Sequence, residues 1–342
     1  MRKILLVGFV LLMSSMFLFA GGNQEKTSPA EKDGASSTAK MASAEKEVTN
    51  ISFAGSTPGG AMYYLVGVAG TVISEGLDNI NINQVSTGGS TENTKRLLKG
   101  EVDMGVVYGP HVYLALNQQE PFAADPKGTM LRGVAKLYEG STYFVTLPGS
   151  GIKTMADLKG KTVAMGPPGS GTVFNSTNVL KALNLYDDID PRMMSFADAG
   201  RAVANRQIDA FAQSSAPAGA VTELAETNGA FVIPYSDDEV DQIVTKFPFY
   251  YSAMMPEGTY KGVPPTQSIY LTVFWVAHES VSEDAIYDIL KYCYQPDVRK
   301  KLEEGYKTWA QFGPGVAGYR VLGSPMHPGA EKFYKEAGLW EE

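Results

Sequence analysis

Three short segments, Ser56-Thr57-Pro58-Gly59-Gly60, Ser86-Thr87-Gly88-Gly89-Ser90 and Gly166-Pro167-Pro168-Gly169-Ser170-Gly171-Thr172, each stand where a strand pattern gives way to a helical one. A chain that repeatedly leaves an extended run and enters a helix builds parallel strands wound with crossover helices, so the motif predicts an α/β fold. Each turn also leaves backbone N–H groups free at a helix start, where the dipole favours negative charge, and the flanking Ser and Thr hydroxyls add donors. None of the three contains Arg or Lys. An anion held there is held by oriented dipoles and hydroxyls rather than by an ion pair, which points to reversible capture rather than to chemistry.

At the N-terminus Arg2 and Lys3 precede an almost unbroken apolar run from Ile4 to Ala20, the form of a secretory signal cleaved after Ala20. The expected location is therefore periplasmic, with an uncleaved membrane tether as the competing reading. Gly21 follows the cut and Cys293 is the only cysteine, so neither a lipid anchor nor an intrachain disulfide is expected. Residues 21–47 are polar and read as a flexible linker. The remainder exceeds the usual single-core size, so two lobes are expected: 48–138 for the first part of lobe 1, 139–250 for lobe 2, and 251–342 for the return to lobe 1 with C-terminal helices. Loss of Arg2 and Lys3 would take the formal net charge from −8 to −10, which argues against nucleic acid as a partner.

Along the chain the hydrophobic period alternates. Strands are expected at Asn50 to Ala54, Asn81 to Ser86 and Val102 to Tyr108, with helices after the first two, the second closed by Gly100. Leu131 to Leu147 is β-prone and long enough to cross between lobes. The pattern then restarts with strands at Thr162 to Met165, Met193 to Phe196, Ile208 to Ala212 and Ala230 to Ile233, separated by helices. A strand at Ile269 to Ala277 and a capping box at Ser280-Val281-Ser282-Glu283 read as the return. Two wound lobes joined by crossing strands put the carboxyl ends of both sheets on a shared cleft, where ligands of open α/β sheets bind.

The candidate ligand-binding residues are Ser56, Gly60, Tyr64, Thr87, Ser90, Asn93 and Tyr108 from the first lobe, and Gly169, Ser170, Gly171, Thr172 and Ser214 from the second. Asn93 is expected to aim its amide at the cleft and Glu92 to face solvent, and Pro217 fits a first helical turn. Enzymatic signatures fail. Gly160-Lys161-Thr162 precedes a strand and has Met155 where a phosphate-binding loop needs glycine, and Ser170 has Pro168 where a nucleophile elbow needs glycine. His111, His278 and His327 are not spaced as metal ligands. No cofactor, metal or catalytic residue is expected, and Cys293 reads as a small buried hydrophobe.

The chain resembles the TAXI family, the solute receptors of one branch of tripartite ATP-independent periplasmic (TRAP) transporters. The resemblance rests on Gly59-Gly60-Ala61-Met62-Tyr63-Tyr64, on Ser86-Thr87-Gly88-Gly89-Ser90 with Asn93, on Leu98-Lys99-Gly100-Glu101-Val102-Asp103, on the segment Gly151 to Lys161, on Gly166 to Thr172, and on Gln207-Ile208-Asp209-Ala210-Phe211 leading to the serine pair. It departs at Leu65, where such receptors often carry proline, and at Pro58 inside the first turn. The resemblance implies a two-lobed type II periplasmic-binding-protein fold, a small carboxylate or amino acid as ligand (glutamate, glutamine or 2-oxoglutarate), and delivery to a TRAP-type membrane permease. Alternatives are a transferase on the same fold or an exported, lipid-free ligand-sensing surface protein.

Overall fold

The structure, a computed structural model, describes residues 48–340; the expected signal peptide and linker lie outside the described residues. β1 (Thr49–Ala54), β2 (Ile80–Val85) and β3 (Met104–Tyr108) run parallel in the order β2-β1-β3 and are wound by α1 (Ala61–Gly76) and α2 (Ser90–Leu98). The apolar positions legible in the sequence explain α1: Met62, Leu65, Val66, Ala69 and Ile73 form one buried stripe. Gly100, at φ +66, follows α2 in the left-handed conformation expected of it. β3 runs directly into α3 (Gly109–Leu116), a helix not anticipated from the sequence pattern although Pro110 in its first turn marks the start.

β4 (Leu131–Thr146) is the crossing strand. Leu131 to Thr142 pairs antiparallel with the later strand of the return, whereas Tyr143 to Val145 pairs with a strand of the second half. That half repeats the first: β5 (Thr162–Gly166), α4 (Gly171–Ala182), β6 (Asp190–Met193), α5 (Phe196–Ala204), β7 (Ala210–Gln213) and α6 (Gly219–Thr227), with β6, β5 and β7 parallel in that order. β8 (Phe231–Ile233) pairs with the end of β4, and α7 (Asp237–Lys246) leads to β9 (Tyr251–Met255). β10 (Thr266–His278) closes the circuit by pairing with β9, β4 and β3. Two long strands thus join the halves, and the architecture is the two-lobed type II α/β fold. Helices α8 (Glu283–Cys293), α9 (Pro296–Gly305), α10 (Val316–Arg320) and α11 (Pro328–Glu336) follow. Phe53 and Trp275 stack at 4.8 Å in the core that locks β1 to β10. Among the described residues no helix is long and apolar enough to cross a membrane.

Three local expectations shift. The strand placed at Met193 to Phe196 ends at Met193, because the Ser195 hydroxyl accepts the Asp198 amide at 3.1 Å and opens α5 at Phe196. The return helix is capped by Ser282, whose hydroxyl accepts from the Ala285 amide, while Ser280 instead contacts His278 Nδ1 at 2.7 Å. Pro217 lies two residues ahead of α6 rather than inside its first turn.

Candidate functional site

The carboxyl ends of the parallel strands bring all three glycine turns to one place. There α1, α2 and α4 begin, and Ser56, Gly60, Ser90, Tyr108, Ser170, Gly171 and Thr172, all expected from the sequence, enclose a cavity of about 10 Å³ together with Ala61, Met62, Gly88, Gly89, Phe196, Gln213 and Ser215. Such a space admits about one water-sized group.

Its walls are donors. Glu92 N donates to Gly169 O at 2.9 Å, Tyr63 N to Gly60 O at 3.2 Å and Val173 N to Ser170 Oγ at 3.1 Å, but the first-turn amides of the lining residues Ala61, Met62, Ser90, Gly171 and Thr172 find no acceptor among the described residues. The side chain of Gln213 adds a further donor: the residue is 1% exposed, and its Nε2 has no partner among the described residues. Three helix dipoles and a buried carboxamide therefore face one small space that, among the described residues, no Lys, Arg, His, Asp or Glu lines. Tyr108 stays protonated there, because burial pushes its phenol up to about 12 against the opposing pull of the Ser215, Thr172 and Ser214 hydroxyls.

The two halves are pressed together around this cage. Besides Glu92 to Gly169, Thr91 Oγ1 donates to Ser170 O at 3.3 Å, Ala220 N to Gly59 O at 3.2 Å, Tyr108 Oη to Ser214 O at 3.1 Å, and Tyr306 Oη to Pro217 O. Glycine permits the approach: a Cβ on Gly88 would lie 2.1 Å from the Pro168 carbonyl oxygen, and one on Gly171 would lie 2.4 Å from the Tyr108 ring.

Several expected residues are used otherwise. Asn93 does not aim at the cleft; its Oδ1 accepts from Thr87 Oγ1 at 2.6 Å and its Nδ2 donates to the Gly55 and Val106 carbonyls at 2.8 and 2.9 Å. Thr87 also accepts the Gly89 amide, so Thr87 and Asn93 form a brace beneath the second turn rather than part of the cage. Glu92 does not face away into solvent; its Oε2 accepts the Gly88 amide at 2.7 Å and its Oε1 pairs with Arg96 at 2.7 Å, which fills one donor of that turn. Ser214 is buried behind the cage, its Oγ accepting from Thr142, and it is the neighbouring Ser215 that lines the cavity, with its Oγ 2.7 Å from Tyr138 Oη. Gly169, at φ +75, supplies the carbonyl that Glu92 N reaches.

Ser90 Oγ accepts the Tyr108 amide at 2.8 Å and lies 2.7 Å from His111 Nδ1. Burial holds the His111 imidazole down to about 3, so it is neutral. Its ring meets Phe122 and Phe174 edge-on at 5.3 and 4.8 Å, which suits an N–H rather than a lone pair at Nε2, and we assign the proton there. Ser90 then spends its hydroxyl hydrogen on His111, and what it offers the cage is its backbone amide.

Tyr64 lies apart, 40% exposed, in a larger groove of about 1050 Å³ between the halves. Gln213, absent from the candidates read from sequence, ends β7 at the same strand end that carries ligands in such sheets, and that position is the signal that finds it.

The sequence model of the NMT1-like family matches residues 53–338. The chain belongs to that family. Among solved structures it is similar to the alkanesulfonate-binding protein SsuA from Xanthomonas axonopodis pv. citri bound to MOPS, at 15% identity over 86% of this chain and 96% of that one, with a TM-score of 0.48. It is also similar to the periplasmic aliphatic sulphonate binding protein SsuA from Escherichia coli, at 16% identity over 85% and 88% with a TM-score of 0.42. A third is the substrate binding protein of an amino acid ABC transporter, at 14% identity over 76% and 100% with a TM-score of 0.45.

Proposed function

We propose that the protein is an extracytoplasmic receptor that captures a small organic anion or amino acid of the glutamate, glutamine or 2-oxoglutarate class by closure of its two halves. The observation that carries this reading is the cage of five first-turn amides, partnerless among the described residues, with Gln213 Nε2, contributed by both halves. A carboxylate has about four lone-pair sites, and each hydrogen bond to a charged acceptor contributes about 1.5–3 kcal/mol. An acid gripped from both sides therefore favours the closed form, and a preference of about 3 kcal/mol moves a two-state balance more than a hundredfold. The cavity of about 10 Å³ is too small for a whole amino acid, so closure around the ligand stops short of the contacts seen here.

The resemblance of the glycine turns to TAXI receptors supports delivery to a TRAP-type permease, with residues 139–250 as the moving lobe and the apolar N-terminus as the export signal. A thermal-shift and calorimetric screen of glutamate, glutamine and 2-oxoglutarate on the chain from Gly21 tests the reading, since binding raises apparent stability by mass action. No shift with any of them, together with no compaction in solution scattering, overturns it.

One observation favours a second reading, a transferase built on the Ser90–His111 pair. Activation of a serine needs a base that can accept and pass on a proton, oriented by a third group. His111 is held neutral by burial and its far nitrogen faces phenyl rings instead of a carboxylate. Turnover of an acyl substrate, lost in His111→Phe, would establish that alternative.

A further inference from the structure

The groove that holds Tyr64 is chemically unlike the cage. It is lined by the two hinge strands, through Glu139 of β4 and Tyr270 of β10, and by Tyr251 of the adjoining β9. One wall comes from Tyr64 of α1 and from Tyr306 and Lys307 after α9, the other from the start of α6 and the loop after β9. At about 1050 Å³ it is at the upper end of small-molecule sites, typically about 300–1,000 Å³.

Two features define what fits it. The first is a set of aromatic faces in pairs: Tyr64 and Tyr306 have ring centroids 5.8 Å apart, and Tyr251 and Tyr270 are 5.9 Å apart. Tyr251 and Met254 are 41% and 54% exposed, a large apolar surface left open beside them. The second is charge. Glu139 is already held by Lys136 at 2.6 Å and by the Tyr251 hydroxyl at 2.7 Å. Glu223 and Glu257, on the wall from the second half, make no ion pair among the described residues, and among those residues Lys307 is the one cation on the lining.

We propose that this groove is a second binding site, distinct from the cage, for an organic ammonium ion with an apolar body. Tyrosine faces attract a cation through their quadrupole, and the attraction grows as the cation is desolvated. Free carboxylates at the rim add long-range attraction, and the methionine and proline surface takes the hydrocarbon part. An anion finds no such match, because the unpaired acids outnumber the single lysine.

The test uses calorimetry on the chain from Gly21 with choline and its neutral carbon isostere, 3,3-dimethylbutan-1-ol, with no carboxylate ligand present, so the result stands apart from that of the cage. Choline is expected to bind at least about tenfold more tightly than the isostere, a difference of about 1.4 kcal/mol. Tyr64→Leu keeps apolar area on an exposed residue but removes the aromatic face, and Glu257→Gln removes a rim charge from an exposed loop; each is expected to weaken choline several-fold with an unchanged melting curve. Equal affinity for the isostere, undiminished choline binding in both variants, or no heat at millimolar choline overturns the proposal.

Discussion

The cage and the groove lie between the same two halves, yet one is an uncharged space of about 10 Å³ and the other a tyrosine-lined one of about 1050 Å³ with acids at its rim. The difference follows from what backbone can do without side chains. In the cage, glycine lets three helix starts and two halves approach until peptide groups themselves form the surface, so its polarity is fixed by the fold. The groove is lined by long side chains such as Tyr64, Glu139, Tyr251, Met254 and Tyr306, and its polarity is set by residue identity. Backbone dipoles therefore make the surface of the close contact, and side chains that of the space left over.

The contrast breaks most completely if closeness is removed. Gly171→Val places a branched side chain where even a Cβ would be 2.4 Å from the Tyr108 ring in the contacts seen here, so the approach of the halves is limited and the α4 amides are pushed back from the cage. Affinity for the acid is expected to fall more than about a hundredfold, with no ligand-induced compaction in scattering. Unchanged compaction would show that closure does not pass through this contact.

Acidification should also tell the two regions apart. The folded pKa of His111 is depressed to about 3, so between its ordinary value and that point the unfolded chain binds the proton that the folded one refuses. Stability from this group is full above the ordinary histidine range and declines as pH falls toward 3, by up to about 1.4 kcal/mol per pH unit. His327, lowered chiefly by desolvation, acts with the same sign. Thermal melts from pH 7 to pH 4 should show a shallower slope in His111→Phe than in the parent; an equal slope would mean that His111 is not the group responsible.

Next in size is Gln213→Leu, which removes one donor from the cage and is expected to weaken acid binding about 10- to 100-fold, by the ordinary strength of a hydrogen bond to a charged group. Gln213→Glu should be worse, because it sets a carboxylate against the ligand, and only at high pH. If both variants bind like the parent, the carboxamide is not aimed at the ligand. The smallest effect is expected for Glu92→Gln. Glu92 is partly exposed and its charge is shared with Arg96, so neutralising it should improve acid affinity only a few-fold, by less than about 1 kcal/mol, and calorimetry in low salt would resolve it.

Much of the fold is legible in the sequence because hydrophobic period and glycine position are local properties. The strands and helices around the three turns fall within a few residues of their expected places, and seven of the twelve candidate residues line the cage. The other candidates lie outside the cage. Thr87, Asn93 and Ser214 carry polar groups suited to a ligand, but backbone carbonyls and hydroxyls from distant segments claim them first. Tyr64 sits at the right helix start yet lines the groove, and Gln213, beside the serines that the sequence pattern favours, lines the cage.

The sequence alone determined that strands would feed helices through small, uncharged turns, since chain direction and φ preference at glycine act over a few residues. Only the tertiary structure decided which donors remained free, because a donor is free only when every acceptor within reach is spent elsewhere. Some of the acceptors that settle the matter are local, as Gly60 is for Tyr63 and Ser170 for Val173, but others, such as Gly169 facing Glu92 and Ser214 facing Tyr108, come from the opposite half of the molecule.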